Sequence, residues 1–420
     1  MTRKNVVITG LGFICSIGND KSQVLESLKE MKSGIELFAP FANDSIPVKC
    51  TGTIKGFDTE SLDPEDWTFP AEYSVRRDVL RGFSPHVLYA YCAMKQAVAD
   101  ANLTDEEISN SDTGMYTASA GSTSSLFGNL EKMDKLGVMR SSPMGVVASV
   151  VGTLSYNLVS AFKIKGASCG FASACASSAH AMGFAYNEIA DGRQKRMFVV
   201  GGEDGNARAI LPFAGMRALS MSKNPAKASR PYDKSRDGFV GTGGGVVAIL
   251  EDEETAKARG AKIYARMRGW GQASDGFNVA IPHPGGDGLA SAINIALKSS
   301  DTAPEKIGYI NTHGTSTSIG DLAELKAIQK AFDGVPQTAL SSTKSLTGHG
   351  LSLAGVMEAG FCALALENGF MPGSANIEEM DEAAKPFNII TETKFENPQI
   401  ALSLSSGFGG ANTALIFEKA

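Results

Sequence analysis

Phe171-Ala-Ser-Ala-Cys-Ala-Ser-Ser178 sets one thiol, Cys175, among small residues at the predicted start of a helix. Met182, Phe184 and Ile189 carry an amphipathic pattern onward to a stop at Gly192. Ser173 is expected to cap this helix. The positive end of the helix dipole then lies beside the sulfur and favours thiolate, the form that attacks carbonyl carbon. Small neighbours leave room for a ligand and let backbone N–H groups face it. An isolated cysteine is more often a small buried hydrophobe. The rest of the sequence overturns that reading.

Two histidines sit in matching contexts downstream. Ile307-Gly-Tyr-Ile-Asn311 reads as a short buried strand that leads into Thr312-His313-Gly314-Thr315-Ser316-Thr317. Ala339 to Ser342 reads as another, leading into Thr343-Lys344-Ser345-Leu346-Thr347-Gly348-His349-Gly350. Each strand delivers a histidine in a loop rich in Gly, Ser and Thr, just before a helix. Two histidines so placed, together with an activated cysteine, point to a chemical constellation. His86, His180 and His283 read as structural.

Short apolar strands and helices alternate along the chain, which argues for an α/β fold with covered sheets. Asp20 or Asn19 opens one helix and Ser84-Pro85 another. Met197–Gly201 and Val246–Leu250 read as buried strands, and Gly350 to Asn368 as a buried helix closed by Gly369. The charged run Glu251-Asp-Glu-Glu254 is the expected boundary between halves 1–254 and 255–420, and reads equally as one solvated helix face. Gly238-Phe-Val-Gly-Thr-Gly-Gly-Gly245 fails the Gly-x-Gly-x-x-Gly spacing and precedes a strand, so it predicts close backbone packing and no nucleotide cofactor.

The composition sets limits. The chain has 420 residues, 43% hydrophobic and 20% charged, as expected of a globular protein of two or three domain-sized units. Six scattered cysteines (15, 50, 92, 169, 175 and 362) form no Cys-x-x-Cys pair, so no metal site and no disulfide framework is expected, and a cytoplasmic location is. Neither a signal peptide nor a membrane span is expected. A net charge of −6 argues against general nucleic-acid binding.

The Ser-Ala-Cys-Ala-Ser, His-Gly-Thr-Ser-Thr and Lys-Ser-Leu-Thr-Gly-His motifs occur in an order that resembles the 3-oxoacyl-[acyl-carrier-protein] synthases of the type I and II group. The likeness runs from Val6-Val-Ile-Thr-Gly-Leu-Gly12 to Gly407-Phe-Gly-Gly-Ala-Asn-Thr-Ala-Leu-Ile-Phe417. Leu366–Phe370, Asn376–Met380 and Asn388–Thr393 resemble type I more than type II. The resemblance implies a thiolase-like fold, two similar α/β halves stacked as five αβαβα layers, in a homodimer. It implies a decarboxylative condensation of an acyl-enzyme thioester with a malonyl-loaded acyl carrier protein, with no cofactor. Cys175 would carry the acyl group, and the backbone N–H groups of Cys175 and Phe408 would hold the oxyanion, with the Phe408 side chain as a gate. His313 and His349 would donate to the enolate, and Thr315 and Thr317 would line the pantetheine tunnel. Lys344 would support the site with Asp321, Glu324 and Glu358.

Arg76, Arg77 and Arg81 fall in the segment that resembles the family's docking face for the acidic carrier protein, with Lys132, Lys135 and Arg140 a second basic group. The sequence departs from the family where substrate choice is set. Ser406 stands where a phenylalanine is common, Ser318 where proline is common, and Leu-Ser-Leu-Ala-Gly follows His349-Gly350 in place of the usual Leu-Gly-Ala-Ala-Gly. Altered gating and an unusual chain preference are expected from Ser406. Three other readings compete. A degradative thiolase would need a second cysteine near the C-terminus, where none stands. A cysteine hydrolase would not need paired histidine loops. A non-catalytic partner subunit of a heterodimer usually lacks the nucleophile.

Overall fold

The computed structural model describes residues 3–420. Ten strands form the frame: β1 (Val6–Ile14), β2 (Thr113–Ala118), β3 (Ser168–Phe171), β4 (Arg196–Glu203), β5 (Gly244–Asp252), β6 (Ala265–Ser274), β7 (Tyr309–Asn311), β8 (Ala339–Ser341), β9 (Ile400–Gly407) and β10 (Ala411–Lys419). Their order is β8-β7-β9-β10-β6-β1-β5-β4-β2-β3. Six helices cover them: α1 (Pro85–Asp100), α2 (Thr153–Ala161), α3 (Ser177–Ala190), α4 (Asp287–Ser299), α5 (Ser318–Ala331) and α6 (Ala354–Asn368).

Read outward from the join of β1 and β6, the two wings of the sheet are the same. β1/β5 and β5/β4 are antiparallel, while β4/β2 and β2/β3 are parallel. β6/β10 and β10/β9 are antiparallel, while β9/β7 and β7/β8 are parallel. The helices fall at matching points, so one β-α-β-α-β-α-β-β unit is used twice. The sequence carries no visible repeat because each copy needs only the same apolar pattern, not the same residues. Among the described residues, the wings pair edge to edge only where Val6–Ile8 meets Ala265–Met267.

Packing gives five layers. α1 lies on β1 and β5, and α2 on α1 and β2. α4 lies on β6 and β10, and α5 on α4. Between the wings, α3 and α6 pack on each other and on strands of both. β1, β4 and β5 are buried along their whole length, as strands covered on both faces must be. The segment Leu351–Asn368 is long and apolar enough by composition to cross a membrane, which the sequence did not suggest, but here it is the buried middle layer.

Three local expectations change or hold. α3 starts at Ser177 with Ala176 as its N-cap and no side-chain cap, so Ser173 does not cap it. The Ser173 hydroxyl instead meets His180 Nδ1 at 2.8 Å. The acidic run is not a solvated face. Glu251 is fully buried and takes hydrogen bonds from Thr9, Arg196 and Arg259, and Glu253 is buried against Arg266. The glycine-rich stretch does serve close packing, because a Cβ at Gly243 would lie 2.4 Å from the Gly205 nitrogen and one at Gly245 2.3 Å from that of Ala90.

Candidate active site

The strand β3 ends in a tight turn that delivers Cys175. Ala174 adopts a left-handed conformation (φ 50°), and the N–H groups of Ala176 and Ser177 donate to the carbonyls of Ser173 and Ala174. The Ser177 hydroxyl locks the turn, accepting from the Ser173 N–H at 2.8 Å and donating to the Ala174 carbonyl at 2.6 Å. The N–H of Cys175 is left without an acceptor on another residue among those described, as is that of Phe408.

His349 is the counterpart in the second unit: it follows β8 as Cys175 follows β3. Its N–H donates to the Val240 carbonyl at 2.6 Å, and its carbonyl accepts from the Thr242 N–H at 3.1 Å. Its Nε2 then lies 3.0 Å from the Cys175 sulfur. His313 follows β7. Its ring stands edge-on to that of His349 with centroids 5.2 Å apart, and Phe239 stands edge-on to His349 at 5.3 Å. Nδ1 of both histidines is buried without a protein partner, so Nε2 is the nitrogen that each can offer to a ligand.

The acids divide into separate tasks. Glu324, on α5, accepts from the N–H groups of His313 and Gly314 at 2.6 and 2.8 Å and so fixes the histidine loop. Glu358, on α6, forms a fully buried ion pair with Lys344. Asp321 does not join them. It accepts from the N–H groups of Ser316 and Tyr232 and pairs with Arg236 at 3.1 Å. The sequence reading missed Arg236, which has no motif around it to single it out.

Burial dominates the electrostatics. It pushes the Cys175 thiol up to about 12, although the nearby Lys344 acts the other way. Burial and Lys344 hold both imidazoles well below their ordinary value, with His349 adding to the effect on His313. The resting pair is therefore a neutral thiol beside a neutral imidazole. This runs against the expected resting thiolate: desolvation of the half-buried sulfur outweighs the dipole of α3. Burial also raises Glu324 and Glu358 to about 7, and Asp321 to about 6.

These groups line one cavity of about 650 Å³, which takes in Cys175, His313, His349, Thr315, Thr317, Ser406 and Phe408. The hydroxyls of Thr315 and Thr317 are 3.0 Å apart, and Phe213, Phe239 and Leu351 supply an apolar end. Lys344, Glu358 and Asp321 lie outside the lining. The loop after β9 crosses close to the nucleophile: a Cβ at Gly407 would lie 2.9 Å from the Cys175 nitrogen. Gly409 then donates to the Val279 carbonyl at 2.7 Å. The Ser406 hydroxyl donates to Asn412 Oδ1 at 2.7 Å, and Asn412 Nδ2 donates to Asp275 at 2.8 Å. Both partners were missed. Asn412 was legible in the Gly-Gly-Ala-Asn motif, whereas Asp275 follows β6 in a loop without pattern.

Arg76, Arg77 and Arg81 are remote from this cavity and exposed. Each already has an acid: Arg76 meets Asp78, while Arg77 and Arg81 share Glu65. Arg81 also lines a second cleft of about 590 Å³ with Lys132 and Arg140, so the fold brings one arginine of the first basic group beside two residues of the second.

The chain matches the family model described as beta-ketoacyl synthase, N-terminal domain, over residues 3–256, and the one described as beta-ketoacyl synthase, C-terminal domain, over residues 264–378. It is 42% identical over 425 residues to the 3-oxoacyl-[acyl-carrier-protein] synthase 1 of Haemophilus influenzae, covering 99% of both chains. To the synthase of the same name from Escherichia coli K12 it is 40% identical over 421 residues, again with 99% of both covered. The crystal structure of a beta-ketoacyl synthase from Burkholderia phymatum superposes with a TM-score of 0.90 at 31% identity, covering 100% of both chains.

Lys344→Met leaves the Glu358 carboxyl buried without its cation. Urea unfolding above about pH 8, where wild-type Glu358 is charged and the variant must bury it unpaired or take up a proton, should register a loss of about 3–5 kcal/mol. Below about pH 6 the carboxyl is protonated in the folded state, so the loss should shrink. An equal loss at both pH values would show that the pair's charge is not what matters.

Proposed function

This chain belongs to the beta-ketoacyl synthase family and is an acyltransferase-type condensing enzyme, and we propose that Cys175, His349 and His313 carry out its two half-reactions. The contact of 3.0 Å between Cys175 sulfur and His349 Nε2 is the observation that carries this reading. In the first half-reaction the sulfur attacks a carrier-protein thioester while its proton passes to His349. A neutral pair needs this transfer to coincide with attack, because separated charges are costly in a dry cavity. The free N–H groups of Cys175 and Phe408 hold the oxyanion, and losing one such donor costs about 100- to 1,000-fold in rate. The C–S bond to the pantetheine breaks, and its thiolate takes back the proton.

In the second half-reaction a malonyl thioester enters past Thr315 and Thr317. Its C–CO₂ bond breaks, carbon dioxide leaves, and the electron pair becomes an enolate. Neutral imidazoles with the ring proton on Nε2 suit that oxyanion, so His349, whose Nε2 served as the base in the first half-reaction, enters this one as the other tautomer after proton exchange with solvent. The carbanion carbon then attacks the acyl-cysteine, the C–S bond breaks, Cys175 leaves as a thiolate that takes a proton from solvent, and the 3-oxoacyl product is two carbons longer. Residues 1–254 supply the nucleophile and 255–420 both histidines. Lys344 and Glu358 support the electrostatics, while Glu324 and Asp321 hold the loop of His313. A reducing cytoplasm suits six unpaired thiols.

Ser406 is the residue we assign to chain selection. A hydroxyl tied to Asn412 replaces the aromatic wall that the family resemblance leads one to expect. Intact-protein mass after brief exposure to acyl-carrier proteins of increasing chain length should register one acyl group, absent in Cys175→Ala. Ser406→Phe should narrow the range of chains accepted. No adduct with any chain would favour the reading as a non-catalytic partner subunit, and an unchanged range in Ser406→Phe would remove Ser406 from selection.

The carrier protein is the partner for Arg76, Arg77 and Arg81. Their pairing with surface acids holds them in place at little energetic cost, since exposed pairs are weak and readily exchanged. Replacing all three with Glu should slow acyl transfer from carrier protein at least about tenfold more than from a small thioester mimic. Equal slowing with both donors would reject docking at this face.

A second copy of the chain is the expected neighbour of β3. This edge strand leaves Ser168, Cys169 and Gly170 exposed, which is unusual for a strand unless something pairs with it. Phe127, Val138 and Met139 add exposed apolar surface, Met139 being 96% accessible. Sedimentation should give a dimer's mass, and Phe127→Asp with Met139→Asp should shift it toward monomer. A wild-type monomer would point to a different subunit as the partner.

A further inference from the structure

Glu203 ends β4, is buried, and takes no part in the steps above. Its carboxyl is held by Ser352, whose N–H donates at 3.1 Å and whose hydroxyl also donates, with the Asp204 N–H a further, weaker support. Ser352 lies in the short 3-10 turn Leu351–Leu353 that joins His349 to α6. The same junction is pinned to the nucleophile helix, since the Val356 N–H donates to the Ser178 hydroxyl at 3.0 Å. A Cβ on Gly355 would lie 2.5 Å from the Ala179 nitrogen, so no space remains there. β4, the start of α3 and the segment after His349 therefore converge behind the contact between Cys175 and His349.

We propose that Glu203 is a positioning residue for the Cys175–His349 pair, holding the His349 segment through Ser352 and setting by its own charge how readily Cys175 loses its proton. The groups that face it support this. On its own strand end the neighbour is Asp204, itself held by the Ser122 hydroxyl and the Asn206 N–H. From the segment after His349 come the two donors of Ser352. Cys175 feels Glu203 and Glu358 as opposing its ionisation and Lys344 as favouring it. Burial raises the Glu203 carboxyl to about 8, against the pull of Ser352. Below that pH the carboxyl is neutral and adds no charge against the proton transfer from sulfur to His349. Above it, a second negative charge works against the thiolate.

The proposal rests on Cys175 as the nucleophile, and its test needs no acyl donor, so the two readings fail separately. The rate of Cys175 alkylation by iodoacetamide, followed by peptide mass, is measured against pH. Wild type and Glu203→Gln should coincide near about pH 6.5, and above about pH 9 the Gln variant should react roughly three- to tenfold faster, the effect of one like charge removed. Ser352→Ala keeps the carboxyl with one donor fewer, so the break in the wild-type profile should move to higher pH and acyl transfer should slow. A Glu203→Gln profile that superposes on wild type with unchanged thermal stability overturns the proposal. Should that variant fail to fold, an unmoved break in Ser352→Ala overturns it instead.

Discussion

The close approach of α3 and α6 is the constraint on which the rest depends. Gly355 meets Ala179 with no room for a side chain, and Ser178 bonds across to Val356. Each helix belongs to one of the two units, and each follows the loop that carries a reacting group. Fixing the helices against each other fixes the sulfur against the imidazole. The same crossing needs α6 to be apolar on all sides, which is why its only charge deep in the layer, Glu358, is matched by Lys344. The site is thus a by-product of how the middle layer packs, and its geometry is as rigid as that layer.

Dryness is the second organising feature. Removing water from the cavity walls shifts thiol, imidazoles and carboxylates all toward their neutral forms. A nucleophile that is neutral at rest resists stray oxidation and alkylation, at the expense of needing a base in contact. Neutral imidazoles suit the second half-reaction, where the developing charge is negative and an N–H is wanted. One environment serves both steps because neither asks for a permanent ion at the reacting atoms.

Much of this was legible in the sequence. Cys175, His313 and His349 stand in motifs whose small residues advertise tight turns, and all three line one cavity. Strand and helix alternation gave the α/β class because buried strands leave continuous apolar runs. What the sequence hid was what depends on distance across the fold. The doubled topology leaves no repeated residues, since burial demands only apolar character. Arg236, Asp275 and Glu203 act through partners 85, 137 and 149 positions away, and no local spacing marks such pairs. The thiolate expectation failed for a related reason: a helix end is visible in sequence, whereas the loss of solvent around a sulfur is not. Ser173 failed as a cap because its hydroxyl had a nearer use in fixing the turn with His180.

The doubling of the unit has a consequence for how the enzyme comes into being. Cys175 and His349 occupy equivalent places in the two copies, one given over to sulfur and the other to imidazole. During synthesis the first copy emerges complete, with its cysteine, well before the second supplies a base. Until both have folded and docked, the nascent chain holds an ordinary cysteine with no imidazole beside it. The contact that activates the sulfur therefore exists only once both units are in place.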